Sequence, residues 1–375
     1  MGSMREFRLA LVALAGVLAL VVAACGGSDS SSSGGSSGGG SGTQLSGTIN
    51  GAGATFPQPV YQEWAARFQE TVGPTVNYQG IGSGGGIAQF TAGTVDFGAT
   101  DAAMTDDELK SAEAKGKPVH VPTVLGAVTV SYNVQGVKSG LKLDGATIAD
   151  IFLGNVKTWN DAAITKLNPG LKLPSGNITV CHRSDESGTT KNFTAFLVDY
   201  SKAWASGPGS DKSVKWPTGT GAKGNDGVAA CIKQNDGAVG YVEQAYALAN
   251  NFTYADVKNK SGNYVAPTLE SASAAAQGLT IPSDLRFATI NAPGKDAYPI
   301  TALTFLLVYE DMCKAGLSSD QAMDVKAWLQ YGQTQGQGVA KQLQYAPLPG
   351  ELKTKTAAKV DALVCNGKPI KVPAT

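Results

Sequence analysis

From Gly47 onward the chain alternates short β-branched runs with stretches whose apolar positions recur at helical spacing. Gly47–Gly51 reads as a strand. Over Pro57–Thr71, Val60, Trp64 and Phe68 stand at i, i+4 and i+8, which predicts a helix with one apolar face. Pro57 sits where proline suits a first turn. Thr75–Tyr78 predicts a second strand, Gly84–Thr91 a short helix and Thr94–Gly98 a third strand. Strands alternating with helices argue an α/β fold. Two longer β-rich segments, Val121–Asn133 and Tyr298–Tyr309, have the length of crossover strands between two lobes. Between them, Ser187–Ala203 carries Phe193, Phe196, Leu197 and Tyr200 on one helical face, and Ala238–Val242 reads as a strand. Gln321–Leu329 and Thr354–Val364 predict late helices. No internal repeat is visible.

The first 44 residues have a different pattern. Arg5 and Arg8 precede an uncharged run from Leu9 to Ala24, and small residues lead into Cys25. Basic, apolar, then small is the order of a secretory signal peptide, here residues 1–24. The run is shorter than the ~20 residues a membrane-spanning helix needs. Val22-Ala23-Ala24-Cys25 resembles the lipobox of bacterial lipoproteins, which implies cleavage before Cys25 and lipidation of it. Residues 26–43 are almost pure glycine and serine and cannot bury enough apolar surface to fold. Residues 25–44 are thus expected to be a lipidated cysteine and a tether, with a root-mean-square reach of roughly 20–25 Å. The folded part then sits outside the cytoplasm, held at the outer face of the cell membrane.

Lys+Arg and Asp+Glu both number 30, so the formal net charge is zero. No basic excess or basic run points to nucleic acid, and any bound anion must be held by a local site. Beyond Cys25 the cysteines are Cys181, Cys231, Cys313 and Cys365. An even number in an exported chain suggests two disulfides, with three possible connectivities. Cys181–Cys231 with Cys313–Cys365 is favoured because each pair would staple a local region. The two histidines, His120 and His182, belong to no Cys/His cluster of metal-ligand spacing, so neither a metal nor another cofactor is expected.

Three segments share a local design in which Gly, Ser or Thr opens a helix: Gly51–Pro57, Gly80–Gly86 and Ser184–Thr190. A helix start presents unpaired N–H groups and the positive end of the dipole. Glycine lets backbone approach a ligand closely. Together these can hold an anion without net positive charge. Any one of them is also explained as an ordinary N-cap; three, with Arg183 beside the last, favour an anion site. Gly80-x-Gly82-x-x-Gly85, with Asp101 about twenty residues on, formally fits the dinucleotide fingerprint. An exported domain lies away from those cofactor pools, and no phosphate-binding Gly-x-x-x-x-Gly-Lys-Ser/Thr run occurs.

Gly51-Ala-Gly-Ala-Thr-Phe-Pro, Asn77-Tyr-Gln-Gly-Ile-Gly-Ser-Gly-Gly-Gly, Val95-Asp-Phe-Gly-Ala-Thr-Asp and Arg183-Ser-Asp-Glu-Ser-Gly-Thr closely resemble the phosphate-specific periplasmic binding proteins of ABC importers. Asp150-Ile-Phe-Leu-Gly, Leu167-Asn-Pro-Gly-Leu-Lys-Leu-Pro and Gly224-Asn-Asp-Gly fit the same pattern. The resemblance implies a two-lobed, Venus-flytrap α/β fold of type II with two crossover strands. Lobe I would hold residues 45–123 and 299–375 and lobe II residues 124–298, with hinges near Val124 and Ile300. It implies inorganic phosphate in the cleft, and as partners the permease subunits of an ABC phosphate importer with their ATPase. The ligand residues it implies are Thr55, Phe56, Ser83, Asp101, Arg183, Ser187, Gly188 and Thr189, with Asp185 orienting the arginine. Glu186 departs from the family, where a small residue such as glycine is expected, and adds a carboxylate beside the site. The paired cysteines depart from the best-known Gram-negative members.

The chemistry of these residues is coherent. Arg183 offers a planar fork for two oxygens. Asp101 repels an anion unless the ligand carries a proton to share, which phosphate does near neutral pH and sulfate does not. Its alternative reading is an N-cap before Ala102. Competing functions are a binder of another oxyanion such as sulfate or molybdate, a secreted phosphatase, and an adhesin or sensor on the same fold. Two histidines and no carboxylate–histidine cluster argue against the phosphatase, so no catalytic residue is expected.

Overall fold

A computed structural model describes residues 45–373. The expected leader, the lipidated Cys25 and the tether lie outside the described residues.

The principal strands are β1 (Thr48–Gly53), β2 (Thr75–Gly80), β3 (Phe97–Thr100), β4 (Pro118–Asn133), β5 (Thr179–Arg183), β6 (Thr220–Ala222), β7 (Ala238–Glu243) and β8 (Thr301–Tyr309). They lie in the order β2-β1-β3-β8-β4-β7-β5-β6. β1 runs parallel to β2 and β3, and β7 and β6 run parallel to β5. The long strand β4 joins these two parallel groups. From Pro118 to Ala127 it pairs antiparallel with β8, and from Val128 to Asn133 with β7. Every residue of β4 between its two ends is buried, His120, Thr123, Thr129 and Ser131 among them, as in a strand covered on both faces. Where β4 changes partner, Val128 N donates to Ile300 O at 2.8 Å. The chain therefore passes twice through one narrow junction.

The principal helices are α1 (Gln58–Thr71), α2 (Ser83–Ala92), α3 (Asp106–Ala112), α4 (Gly145–Phe152), α5 (Gly188–Tyr200), α6 (Gly224–Gln234), α7 (Ser319–Gln333) and α8 (Gly350–Asp361). The expected face of α1 is buried: Val60, Tyr61, Trp64 and Phe68 have no exposed surface. Trp64 and Phe68 meet Trp328 of α7 edge-on, with ring centroids 5.9 and 5.4 Å apart. On the other side of β4, Phe193 of α5 stacks on Tyr241 of β7 at 4.3 Å and meets Phe152 of α4. Both parallel groups are thus backed by aromatic packing, within one contiguous core.

The last helix, expected over Thr354–Val364, runs Gly350–Asp361, the strand expected from Tyr298 starts at Thr301, and two further elements differ from the expected bounds for local reasons. The third strand starts at Phe97, not Thr94. Gly93 ends α2 in the left-handed conformation, and Thr94 N still returns to Gln89 O at 3.0 Å. The helix after Ser187 stops at Tyr200, because Ser201 is extended and caps a separate short helix, Lys202–Ser206, through Trp204 N.

Two disulfides form, Cys181–Cys231 and Cys313–Cys365. The first ties β5 to α6 and the second secures the C-terminal turn beside Asp311, whose carboxylate accepts from Asn366 N and Gly367 N. Each closes a loop of about fifty residues. Replacing Cys181 and Cys231 with alanine is expected to lower stability by about 2–4 kcal/mol, read as a shift of the urea midpoint; an unchanged midpoint would show that the link adds nothing to α6 packing.

Candidate functional site

The three glycine-rich segments converge. β1 runs into α1 through Ala54–Pro57, β2 into α2 through Ile81–Gly82, and β5 into α5 through Ser184–Ser187. The parallel strands place these helix starts at their C-terminal ends, where ligands bind in open α/β sheets. The first two segments belong to one parallel group and the third to the other.

Ser83 is one point where the two groups touch. Its Oγ accepts from Asp101 N at 3.2 Å and from Gly188 N at 3.0 Å, so both groups meet at one atom. Gly188 is required there: a side chain on it would lie 2.5 Å from Ser83 Oγ and 2.7 Å from Asp101 Cβ. Asn192, one turn into α5, donates to Asp101 O at 2.6 Å and Gly188 O at 2.9 Å, reinforcing the seam.

Asp101 is almost fully buried, and Thr304 Oγ1 donates to its Oδ1 at 2.9 Å. It caps no helix, since the next one begins at Asp106 with Thr105 as its N-cap. Burial pushes its carboxyl up to about 7, against the opposing pull of Thr304, Arg183 and Ser83.

Arg183, at the end of β5, is also buried. Asp185 grips it bidentately, taking Nε at 2.7 Å and one terminal nitrogen at 2.5 Å. The other terminal nitrogen faces Thr189 Oγ1 at 3.4 Å. Burial disfavours the Asp185 carboxylate, but the hydrogen bonds and charge of Arg183 outweigh it and hold its pKa below the usual range. Asp185 also accepts from Gly224 N at the start of α6.

Thr55 Oγ1 accepts from Asn225 N at 3.1 Å and Asn225 Nδ2 at 2.9 Å, and its carbonyl accepts from Tyr246. The Phe56 ring is core, packed against Tyr345. Ser187 Oγ accepts from Thr190 N and caps α5, while its own N–H goes to Lys212 O. A common polarity results. The hydroxyl oxygens of Thr55, Ser187 and Thr189 accept from N–H groups, which leaves their protons as donors, while Ser83 Oγ, which also accepts from N–H groups, turns its proton toward Asp101 Oδ2 at 3.5 Å.

Glu186 is exposed, and its side chain lies over Gly84 while its carbonyl accepts Gly84 N at 3.0 Å. The carboxylate therefore rests, solvated, against the positive end of α2. Farther out, Lys212 Nζ reaches Glu108 Oε1 at 2.6 Å, joining the loop that holds Ser187 to α3. Asn225, Thr304 and the Lys212–Glu108 pair were not legible as site residues; Asn225 stood inside the Gly224-Asn-Asp-Gly motif but carries no charge. Among the described residues no cluster of three His, Cys, Asp or Glu could hold a metal ion.

The described fold has known relatives. Residues 38–331 match the PBP superfamily domain. The chain is 42% identical to the phosphate-binding protein PstS of Pasteurella multocida over 320 residues, covering 84% of this chain and 91% of that one. It is 36% identical to the phosphate-binding protein PstS3 of Mycobacterium bovis, covering 84% and 86%. In fold it is similar to a high-affinity periplasmic phosphate-binding protein solved with phosphate bound (TM-score 0.69, 23% identity, 85% of this chain and 96% of that one). A phosphate-binding protein from Stenotrophomonas maltophilia superposes with a TM-score of 0.66 at 19% identity, covering 85% and 96%. This two-lobed architecture and the extent of identity place the chain in the PBP superfamily, among the PstS phosphate-binding proteins.

Proposed function

We propose that the chain binds inorganic phosphate outside the cytoplasm and delivers it to an ABC-type phosphate importer. The observation that carries this reading is a buried acceptor, Asp101, set among donors that converge from both parallel groups. A tetrahedral oxyanion that still holds a proton satisfies both kinds of group. Its oxygens take the hydroxyls of Thr55, Ser83, Ser187 and Thr189, backbone N–H groups at Phe56 and Gly188, and the free edge of Arg183. Its proton goes to Asp101. Fully ionised sulfate has no such proton and meets Asp101 as a like charge. The contacts at Ser83 are those of a closed cleft, and the β4–Ile300 junction is the hinge, dividing residues 45–123 and 299–375 from residues 124–298. The importer's permease subunits receive the closed form, and their ATPase drives release. We place the protein at the outer face of the membrane, with Cys25 as its lipid anchor after removal of the leader. Among the described residues no helix is long and apolar enough to cross a membrane. Replacing Cys25 with serine is expected to move the protein from the membrane fraction into the medium; retention in the membrane would remove the anchor.

Titration calorimetry at pH 8 is expected to show tight phosphate binding and no sulfate binding; equal binding of both ions would overturn the discrimination. The sign with pH follows from Asp101. Above about 7 it is ionised and repels sulfate, and below about 7 it is neutral and can donate. Sulfate competition should therefore emerge toward pH 5.5, and the Asp101→Asn variant should show it at every pH.

Arg183→Ala leaves Asp185 buried without its partner and is expected to weaken phosphate binding roughly 100-fold or more. Gly188→Ala should cost affinity through a steric route, by about tenfold or more. With saturating phosphate it should keep the radius of gyration of the open form in small-angle scattering. Compaction equal to the parent's would show that closure does not need the bare Gly188.

A further inference from the structure

We propose that Asn225 is the positioning residue that sets the polarity of the site, forcing the hydroxyls of Thr55 and Thr189 to act as donors. The inference rests on the phosphate reading above and adds a residue to it. Asn225 is the second residue of α6 and is fully buried. Its orientation is fixed by Glu243 N, which donates to Oδ1 at 2.9 Å. With the carbonyl side turned to that donor, the amide nitrogen must face the other way. It donates to Thr55 Oγ1 at 2.9 Å and to Thr189 Oγ1 at 3.2 Å. The backbone N–H of Asn225, unpaired by its own helix at this position, donates to Thr55 Oγ1 as well, at 3.1 Å.

A threonine hydroxyl has two lone pairs and one proton. On Thr55 both lone pairs are occupied by Asn225. On Thr189 one is occupied by Asn225 and the other faces Arg183 at 3.4 Å. Neither oxygen has room to accept from a ligand, so each proton is left to donate. The unprotonated oxygens of an anion are what such hydroxyls suit, its one proton going to Asp101, while a neutral polyol would find no acceptors beside them. Because Thr55 precedes α1 and Thr189 opens α5, the same amide also ties the two faces together. An uncharged residue thereby prepares an anion site without contributing charge.

The test is a cycle on the full mature chain, with phosphate titrated calorimetrically. Asn225→Ala is expected to weaken phosphate binding roughly tenfold. The double variant Thr55→Val with Thr189→Val removes the two hydroxyls that Asn225 acts through. Adding Asn225→Ala to that pair should then change the affinity by less than about twofold. A residue that merely supports α6 would instead impose its full tenfold loss in both backgrounds, and that additivity would overturn the proposal. So would a folded Asn225→Ala protein that binds like the parent. Should the alanine variant fail to fold, Asn225→Ser enters the same cycle, its side chain too short to reach either threonine. Failure of the parent chain itself to bind phosphate is a separate result, seen before any variant, and overturns the phosphate reading together with this inference.

Discussion

Two N–H groups, one from each side of the molecule, share the oxygen of Ser83. Asp101 N and Gly188 N approach within 3.2 and 3.0 Å of it. That contact sets the spacing between the helix starts of α1 and α2 and those of α5 and α6. The charged groups lie immediately around it, so their separation and burial follow from how closely Gly188 can approach. The absence of a side chain at position 188 is therefore a condition for the whole site.

The charge balance is equally constrained. Taking Arg183 and Asp185 out of water is costly, and their mutual bidentate bond repays it only with good geometry and further partners. Gly224 N and Thr189 provide those partners. With the arginine largely neutralised by Asp185, attraction for an anion depends on dipoles: helix starts, backbone N–H groups and hydroxyls whose lone pairs are already filled. Asp101 works against binding of any fully ionised anion, and burial raises its pKa toward neutrality, where proton sharing with a ligand is easiest. Glu186 changes this balance little, because it lies on the exposed side of Gly84.

Periodicity made the long elements legible. Val60, Trp64 and Phe68 announced α1, and the β-branched and apolar residues through Val121–Asn133 announced β4. Some short elements, such as β1, β2, β7 and α2, were legible as well, but others were not. β5, which carries Arg183, was missed because five residues ending in His182 and Arg183 show neither alternation nor an apolar run. The helix α6 was missed although Val228, Ala229, Cys231 and Ile232 recur at helical spacing, because its opening Gly224-Asn-Asp-Gly reads as a turn. At the site, charged residues and glycine turns were visible in the sequence. Neutral residues that orient them, such as Asn225, Thr304 and Tyr241, were not, since an amide or hydroxyl in a chain has many ordinary uses.

The sequence by itself determined the α/β class, the donor-rich turns and the pair of opposing charges, because these depend on local spacing and residue chemistry. Its motifs also carried the family resemblance. Only the tertiary structure decided which hydroxyls donate, which face of Glu186 meets solvent and how the cysteines pair. Those properties depend on atoms far apart in the chain: 50 and 52 residues for the disulfides, 105 for Ser83 and Gly188, and 170 for Thr55 and Asn225. Hydrogen-bond polarity is set by whichever donor arrives on the other side, and no local pattern records that.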